Sequence, residues 1–337
     1  MKFGPIPLAE AEGATLAHAI RLNGLAVKKG DALTPERRKA LAAAGVANVV
    51  AAQLEDGDVG ENEAALKLAT HLAGEHVRLA EPFTGRVNLF AKTAGLVLVD
   101  GDTIDEINAV DEAITVATLS RFRAVAEGDM AATVKIIPFS TRRDKLVAAL
   151  SQLRRPAVAI APFRPLKVAV ASTLLPGLKT SVVAKTLRVL EARLAPTGAR
   201  IDAHATAPHE TAALAAVLYR LTKSADLVIV FGASAITDRR DVIPAAVEAI
   251  GGRIERFGMP VDPGNLLLLA ARGQCTILGA PGCARSPKEN GFDWILQRII
   301  AGVPATGDDI RRMGVGGLLM EIATRPQPRQ PLPPGIP

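Results

Sequence analysis

The sequence predicts an α/β protein: a three-layer, mostly parallel sheet flanked by helices, preceded by a smaller α+β, β-rich N-terminal region. Three observations predict it. From residue 166 onward, short apolar runs alternate with amphipathic runs of helical length, the pattern of a helix-covered parallel sheet. Three strand signals there end in loops that combine Gly or Pro with Arg, Lys or Asp: GASAITDRRDVIP (232–244), MPVDPGN (259–265) and GAPGCARSPKENG (279–291). Residues 76–140 instead alternate apolar and polar residues between Gly turns, which is strand patterning.

Taken in order, residues 1–75 form an N-terminal α+β segment. Thr34 reads as an N-cap with Pro35 at the first helical position, and the helix stops near Gly45. VANVVAA (46–52) follows as a strand, and ENEAALKLATHLAG (61–74) as an amphipathic helix ending at Gly74. Residues 76–150 form a small β-rich domain. LVLVDG (96–101) is a strand and turn, residues 103–119 are helix then strand, and MAATVKIIPF (130–139) is a strand ended by Pro138. Arg86, Asn88 and Lys135 are polar groups in apolar stretches, read as half-exposed strand positions or as lining of a ligand cleft. RDKLVAALSQLRR (143–155) is a helix, and the Pro-containing stretch 151–165 is expected to be a connector.

The main domain then runs from 166 to 305. Strands are expected at 167–173, 199–206, 226–231 and 253–259, and a hairpin around Gly273. Helices are expected at 181–198, 209–224, 241–252 and 291–302. Residues 306–337 are a C-terminal extension, whose tail RPQPRQPLPPGIP is too Pro-rich to pack and resembles a linker.

The chain is 49% hydrophobic but only 3% aromatic, which predicts an aliphatic core rather than a stacking platform. A net charge of +6 suits anionic ligands. No basic run is interleaved with aromatics, so nucleic acid is not expected as a partner. Cys275 and Cys283 fit no zinc spacing and the five histidines no metal pattern. No apolar run is long enough for a membrane span, and the N-terminus is not of signal-peptide type, so a cytoplasmic protein is expected.

Ligands in open α/β sheets bind outside the carboxyl ends of the strands, where helix N-termini offer free N–H groups to anions. The three loops therefore predict a site for a phosphorylated small molecule. Asp241, at a helix start, is read as a carboxylate for Mg²⁺ and catalysis, or as a residue stabilising the helix N-terminus. Asp238 is a weaker second candidate. Arg239 and Arg240 are read as a phosphate clamp or as solvated loop residues. Gly279, Pro281 and Gly282 allow close backbone approach to a ligand or form a plain tight turn. Arg285, Ser286 and Lys288 supply donors at the mouth of the last helix. Cys283 is expected to pack or lie beside the ligand, not to act as a nucleophile. Lys179 is read as a solvated residue or a phosphate contact, and His209 as a surface or cap-region residue at a helix start.

The order of elements from 166 to 302 resembles the molybdopterin-binding domain of molybdenum-cofactor biosynthesis proteins. RRDVIP (239–244) resembles the Arg-Arg-Asp-Val-Thr-Pro run of the adenylyltransferase branch, and GASAITDRRD occupies the place of its Gly-Gly loop. FGMPVDPGNLLL (257–268) and GAPG (279–282) resemble the Pro-Gly segment and Gly-Leu-Pro-Gly loop of the molybdenum insertase branch, that of the molybdopterin molybdotransferases. The resemblance implies ligand contacts at Ser172, Thr173, Gly232, Ala233, Ser234, Pro263, Gly264 and Asn265, beside those above. It implies molybdopterin as ligand or substrate, with Mg²⁺ and ATP as further cofactors. Where the insertases carry Thr-Gly-Asp-Glu, this chain has Ser172, Thr173, Leu174 and Leu175, and the second loop glycine is Ala233. Two acidic residues tied to metal and nucleotide chemistry are thus absent, while backbone N–H groups still suit phosphate.

The implied roles are nucleotide-assisted metal insertion, preparation of the cofactor for nucleotidyl transfer, or a non-catalytic carrier serving a nucleotidyltransferase or molybdoenzyme. A dinucleotide pyrophosphatase on the same fold is a further alternative. The resemblance also implies a homodimer.

Overall fold

A computed structural model describes residues 1–22, 24–177 and 180–319. Lys179 and the Pro-rich tail lie outside the described residues. The chain divides into two compact units, Met1–Phe163 and Arg164–Pro337.

In the first unit, strand Lys2–Pro7 pairs antiparallel with Asn48–Gln53. Helix Pro35–Ala43 starts as expected, with Thr34 Oγ1 accepting from Arg37 N at 3.3 Å. Leu8, Leu16, Leu33 and Leu41 are buried together under it. A larger core follows. Helix Glu61–Leu72 sends Ala65, Leu68 and Leu72 into the same cluster as Val87, Leu89 and Val134 of the antiparallel strands Arg86–Ala91 and Met130–Ile136. The stretch expected as a connector is instead a strand, Val158–Pro162, paired antiparallel with Gly95–Val99. Its alternating apolar residues Val158 and Ile160 are fully buried, a pattern that the flanking prolines mask in sequence. Arg86 and Asn88 pair with Thr133 across the strands (3.0 and 2.8 Å), and Lys135 with Glu61 (3.5 Å).

The second unit is built in chain order from β1 (Lys167–Leu174), α1 (Thr180–Leu194), β2 (Arg200–Pro208), α2 (Thr211–Leu221), β3 (Leu227–Phe231), α3 (Val242–Ala249), β4 (Arg253–Phe257), β5 (Leu268–Arg272), β6 (Cys275–Ala280), α4 (Gly291–Ala301) and α5 (Gly307–Arg311). The sheet order is β2-β1-β3-β6-β5-β4. β2, β1, β3 and β6 are parallel, and β5 runs antiparallel to both β6 and β4. β4 therefore points the same way as the parallel set, and the loop after it opens at the same sheet edge as those after β3 and β6. β3 reads as an unbroken apolar run, and β1 as the apolar residues 168–171 followed by Ser172 and Thr173, because central strands are buried on both faces. Val168, Val170 and Leu227 through Val230 are accordingly fully buried. β2 is an edge strand with alternating exposure. Gly273, in the left-handed region at φ 57°, makes the expected hairpin turn. Among the described residues no helix is long and apolar enough to cross a membrane.

Candidate functional site

The carboxyl ends of β2, β1, β3 and β6 form a polar rim. At the end of β1, the Thr173 hydroxyl is buried and accepts the Ala233 N–H at 2.8 Å, tying the loop after β3 to the neighbouring strand. The same oxygen lies 2.8 Å from Nδ1 of His209, which follows the end of β2. One residue earlier, buried Ser172 places Oγ 3.3 Å from Nε2 of His204. Burial lowers the His204 pKa from its ordinary value.

The loop after β3 is closed at both ends. At its start, Arg285 Nη2 donates to the Gly232 carbonyl at 2.9 Å, and Arg285 Nη1 to Thr186 Oγ1 of α1 at 2.7 Å. The Arg285 guanidinium lies 5.2 Å from the centre of the Phe231 ring. Burial pushes its pKa below the usual guanidinium range, and among the described residues no carboxylate pairs with it. At the far end, Asp241 Oδ2 accepts from Thr237 N (2.7 Å), Thr237 Oγ1 (3.1 Å) and Asp238 N (3.0 Å). Those donors hold the Asp241 carboxyl below its ordinary pKa. Asp241 occupies the N-cap position of α3 but makes no capping hydrogen bond to the helix; its carboxylate orders the loop instead. Between the two closures, the N–H groups of Ser234, Ala235 and Ile236 form no hydrogen bond among the described residues.

Arg240 forks onto exposed Asp238 (2.8 and 3.3 Å), whose pKa it lowers to about 2. Arg239 lies 6.0 Å from the centre of the Phe257 ring. The two arginines thus have partners within the unit.

The loop after β6 is fastened by a residue that sequence reasoning missed. Arg193, in the last turn of α1, donates to the Ala284 carbonyl (2.8 Å), the Ser286 carbonyl (2.5 Å), the Lys288 carbonyl (3.1 Å) and Asp293 Oδ1 (2.5 Å). Asp293 also completes a capping box with Asn290 at the start of α4. Ser286 Oγ accepts from Lys288 N at 3.4 Å. Gly282 is exposed, with open space where a Cβ would stand, whereas Pro281 is buried. Gly279 has a packing reason of its own: a Cβ there would stand 2.8 Å from Leu268 Cβ and 2.9 Å from Ile236 Cδ1.

The loop after β4 docks on α4. Gly291 N donates to the Pro263 carbonyl at 2.8 Å, and Met259 N to the Asn265 carbonyl at 2.9 Å. A Cβ on Gly264 would stand 2.9 Å from the Gly291 backbone. The rim thus brings together Thr173, Gly232, Ala233, Ser234 and Arg285, with Ser172 beside it, while Pro263, Gly264 and Asn265 brace α4.

Mg²⁺ takes one or two carboxylates together with ligand phosphates. Here Asp241 Oδ2 is surrounded by three donors and Asp238 is paired with Arg240. Among the described residues no cluster of three or more His, Cys, Asp or Glu could hold a metal ion. The donor set suits an oxyanion better than a cation.

Residues 168–301 match a family described as "Probable molybdopterin binding domain". The match falls on the sheet and loops of the second unit and agrees with the resemblance that the loop motifs carry. The fold is similar to that of a molybdopterin biosynthesis MoeA protein from Pyrococcus horikoshii, at 13% identity over 91% of this chain and 76% of that one, with a TM-score of 0.32. It is also similar to the molybdopterin biosynthesis enzyme MoaB from Thermus thermophilus, at 15% identity over 41% of this chain and 98% of that one, with a TM-score of 0.30. A putative molybdenum cofactor biosynthesis protein from Corynebacterium diphtheriae matches 42% of this chain and 99% of its own at 14% identity, with a TM-score of 0.29. Among curated proteins there is no match.

Proposed function

We propose that the second unit binds molybdopterin through its phosphate at the rim, and that the protein holds the pterin during molybdenum-cofactor biosynthesis. One observation carries this reading. A half-buried guanidinium, that of Arg285, has no carboxylate partner among the described residues and adjoins a loop with three consecutive unpaired N–H groups. A desolvated cation without a counter-charge is costly, and an anionic ligand offsets that cost. Successive backbone N–H groups suit phosphate oxygens.

A holding role is favoured over Mg²⁺- and ATP-assisted metal insertion because Asp241 is engaged in closing its own loop. The same commitment weighs against preparation for nucleotidyl transfer and against a dinucleotide pyrophosphatase, each of which needs a polarised phosphate. The reading includes a cytoplasmic homodimer that passes the pterin to a nucleotidyltransferase or molybdoenzyme.

Calorimetric titration of the whole protein with molybdopterin tests it. Wild type binds, and Arg285→Ala weakens binding by about tenfold or more, the scale of one charge-assisted hydrogen bond to phosphate. Equal affinity in a folded Arg285→Ala protein would remove the reading. ATP turnover in the same sample would replace the holder by an enzyme.

A further inference from the structure

The rim carries donors after three of its strands, β2, β3 and β6. Thr173 Oγ1 accepts the Ala233 N–H and keeps its own proton to donate. His209 Nδ1, at 2.8 Å, is the acceptor in reach. When His209 Nδ1 takes that proton, the imidazole carries its own on Nε2, which has no partner among the described residues. Across the strand ends, the donors are then His209 N–H after β2, the N–H groups of Ser234 to Ile236 after β3, and Arg285 after β6, with the Thr173 hydroxyl on β1 engaged by His209 and Ala233. The nearby carboxylates of Asp238 and Asp241 are held by Arg240 and by loop donors. Exposed Glu210, next to His209 in sequence, is a further carboxylate at this end of the sheet.

We propose that this rim binds a phosphate or diphosphate ester as the bare oxyanion, through protein donors alone and without a divalent cation, with His209 Nε2 as one of the contacts. The proposal rests on the reading of the rim as the pterin-phosphate site and adds how the charge is met. A metal-bridged phosphate needs acidic ligands facing it; this rim presents imidazole, amide and guanidinium N–H groups, which match phosphate oxygens directly. His209 reaches the site because parallel pairing sets Thr173 of β1 against Ala207 of β2, and the His209 N–H donates to the Leu174 carbonyl at 2.9 Å.

The test uses the whole protein and inorganic pyrophosphate, in EDTA and in excess Mg²⁺. Pyrophosphate binds in EDTA, and Mg²⁺ does not tighten it, since the ion competes for the ligand. His209→Phe loses about tenfold in affinity, the scale of one hydrogen bond to a charged group. His209→Gln keeps an acceptor for Thr173 and a donor for the ligand, so it retains most of the affinity, and Glu210→Gln binds as wild type. Thermal melts show which variants are folded. A requirement for Mg²⁺, loss of binding in Glu210→Gln, unchanged affinity in folded His209→Phe, or no pyrophosphate binding at all would each overturn the proposal. A parallel titration with molybdopterin separates the two ideas. Binding of molybdopterin only with Mg²⁺ removes the proposal and leaves the pterin reading; binding of pyrophosphate but not molybdopterin does the reverse.

Discussion

Asp241 accepts three hydrogen bonds from its own loop, and this gives it a pH signature. Its pKa is lowered in the folded state, so its contribution is present above the ordinary carboxylate value of 3.8 and fades as pH falls through the depressed one. Asp241→Asn is expected to lower stability by about 1 kcal/mol at neutral pH, after allowance for solvent screening. Denaturant melts of both proteins would converge below the ordinary carboxylate range; a gap that persisted in acid would assign the effect to packing. Residue identity alone left Asp241 open between metal, catalysis and helix stabilisation, because loop closure depends on a backbone path that no local pattern encodes. His209 was illegible for a different reason. Its partner Thr173 is 36 residues away and is brought beside it by strand pairing. Gly279 carries a second reason that sequence does not show: a glycine in a Gly-Ala-Pro-Gly loop suggests a ligand, and Leu268 and Ile236 also fill the space of a Cβ.

Arg193 links one helix to the start of another. Its side chain and that of Asp293 are 9% and 12% exposed, so breaking the pair leaves a carboxylate stranded in a dry site. Arg193→Ala is predicted to cost about 3 kcal/mol in a denaturant melt, and the loop 281–290 to gain amide exchange. Gly264 is the second element-level joint. Its φ of 143° disfavours any side chain, and an added Cβ would press on the first residue of α4. Gly264→Ala is therefore expected to lose roughly 2 kcal/mol, measurable as a lower melting temperature. The elements themselves were largely legible. Runs such as Leu227–Phe231, the Thr34–Pro35 helix start and the Gly273 turn announce themselves by burial pattern and backbone preference. Strand Val158–Pro162 was not, since prolines on either side resemble a linker until a partner strand is present.

Each unit buries a hydrophobic cluster of its own. Leu214, Val228, Ile243 and Ile277 share one in the second unit, and Leu68, Val87 and Val134 another in the first. Residues 164–337 produced alone are expected to unfold cooperatively with native-like circular dichroism; a non-cooperative melt would show that this core is insufficient by itself. The α/β class and the strand-end position of the three loops could be read from sequence because alternation and loop chemistry are local. The sheet order and the opposite run of β5 are long-range outcomes. The double closure of the loop after β3 has a consequence for how such a protein can change its ligand. Gly232 is held by Arg285, Ala233 by Thr173, and Thr237 and Asp238 by Asp241, so exposed Ser234 and Ala235 form a small replaceable cassette. Varying those two positions alone would retune recognition while the scaffold around them folds as before.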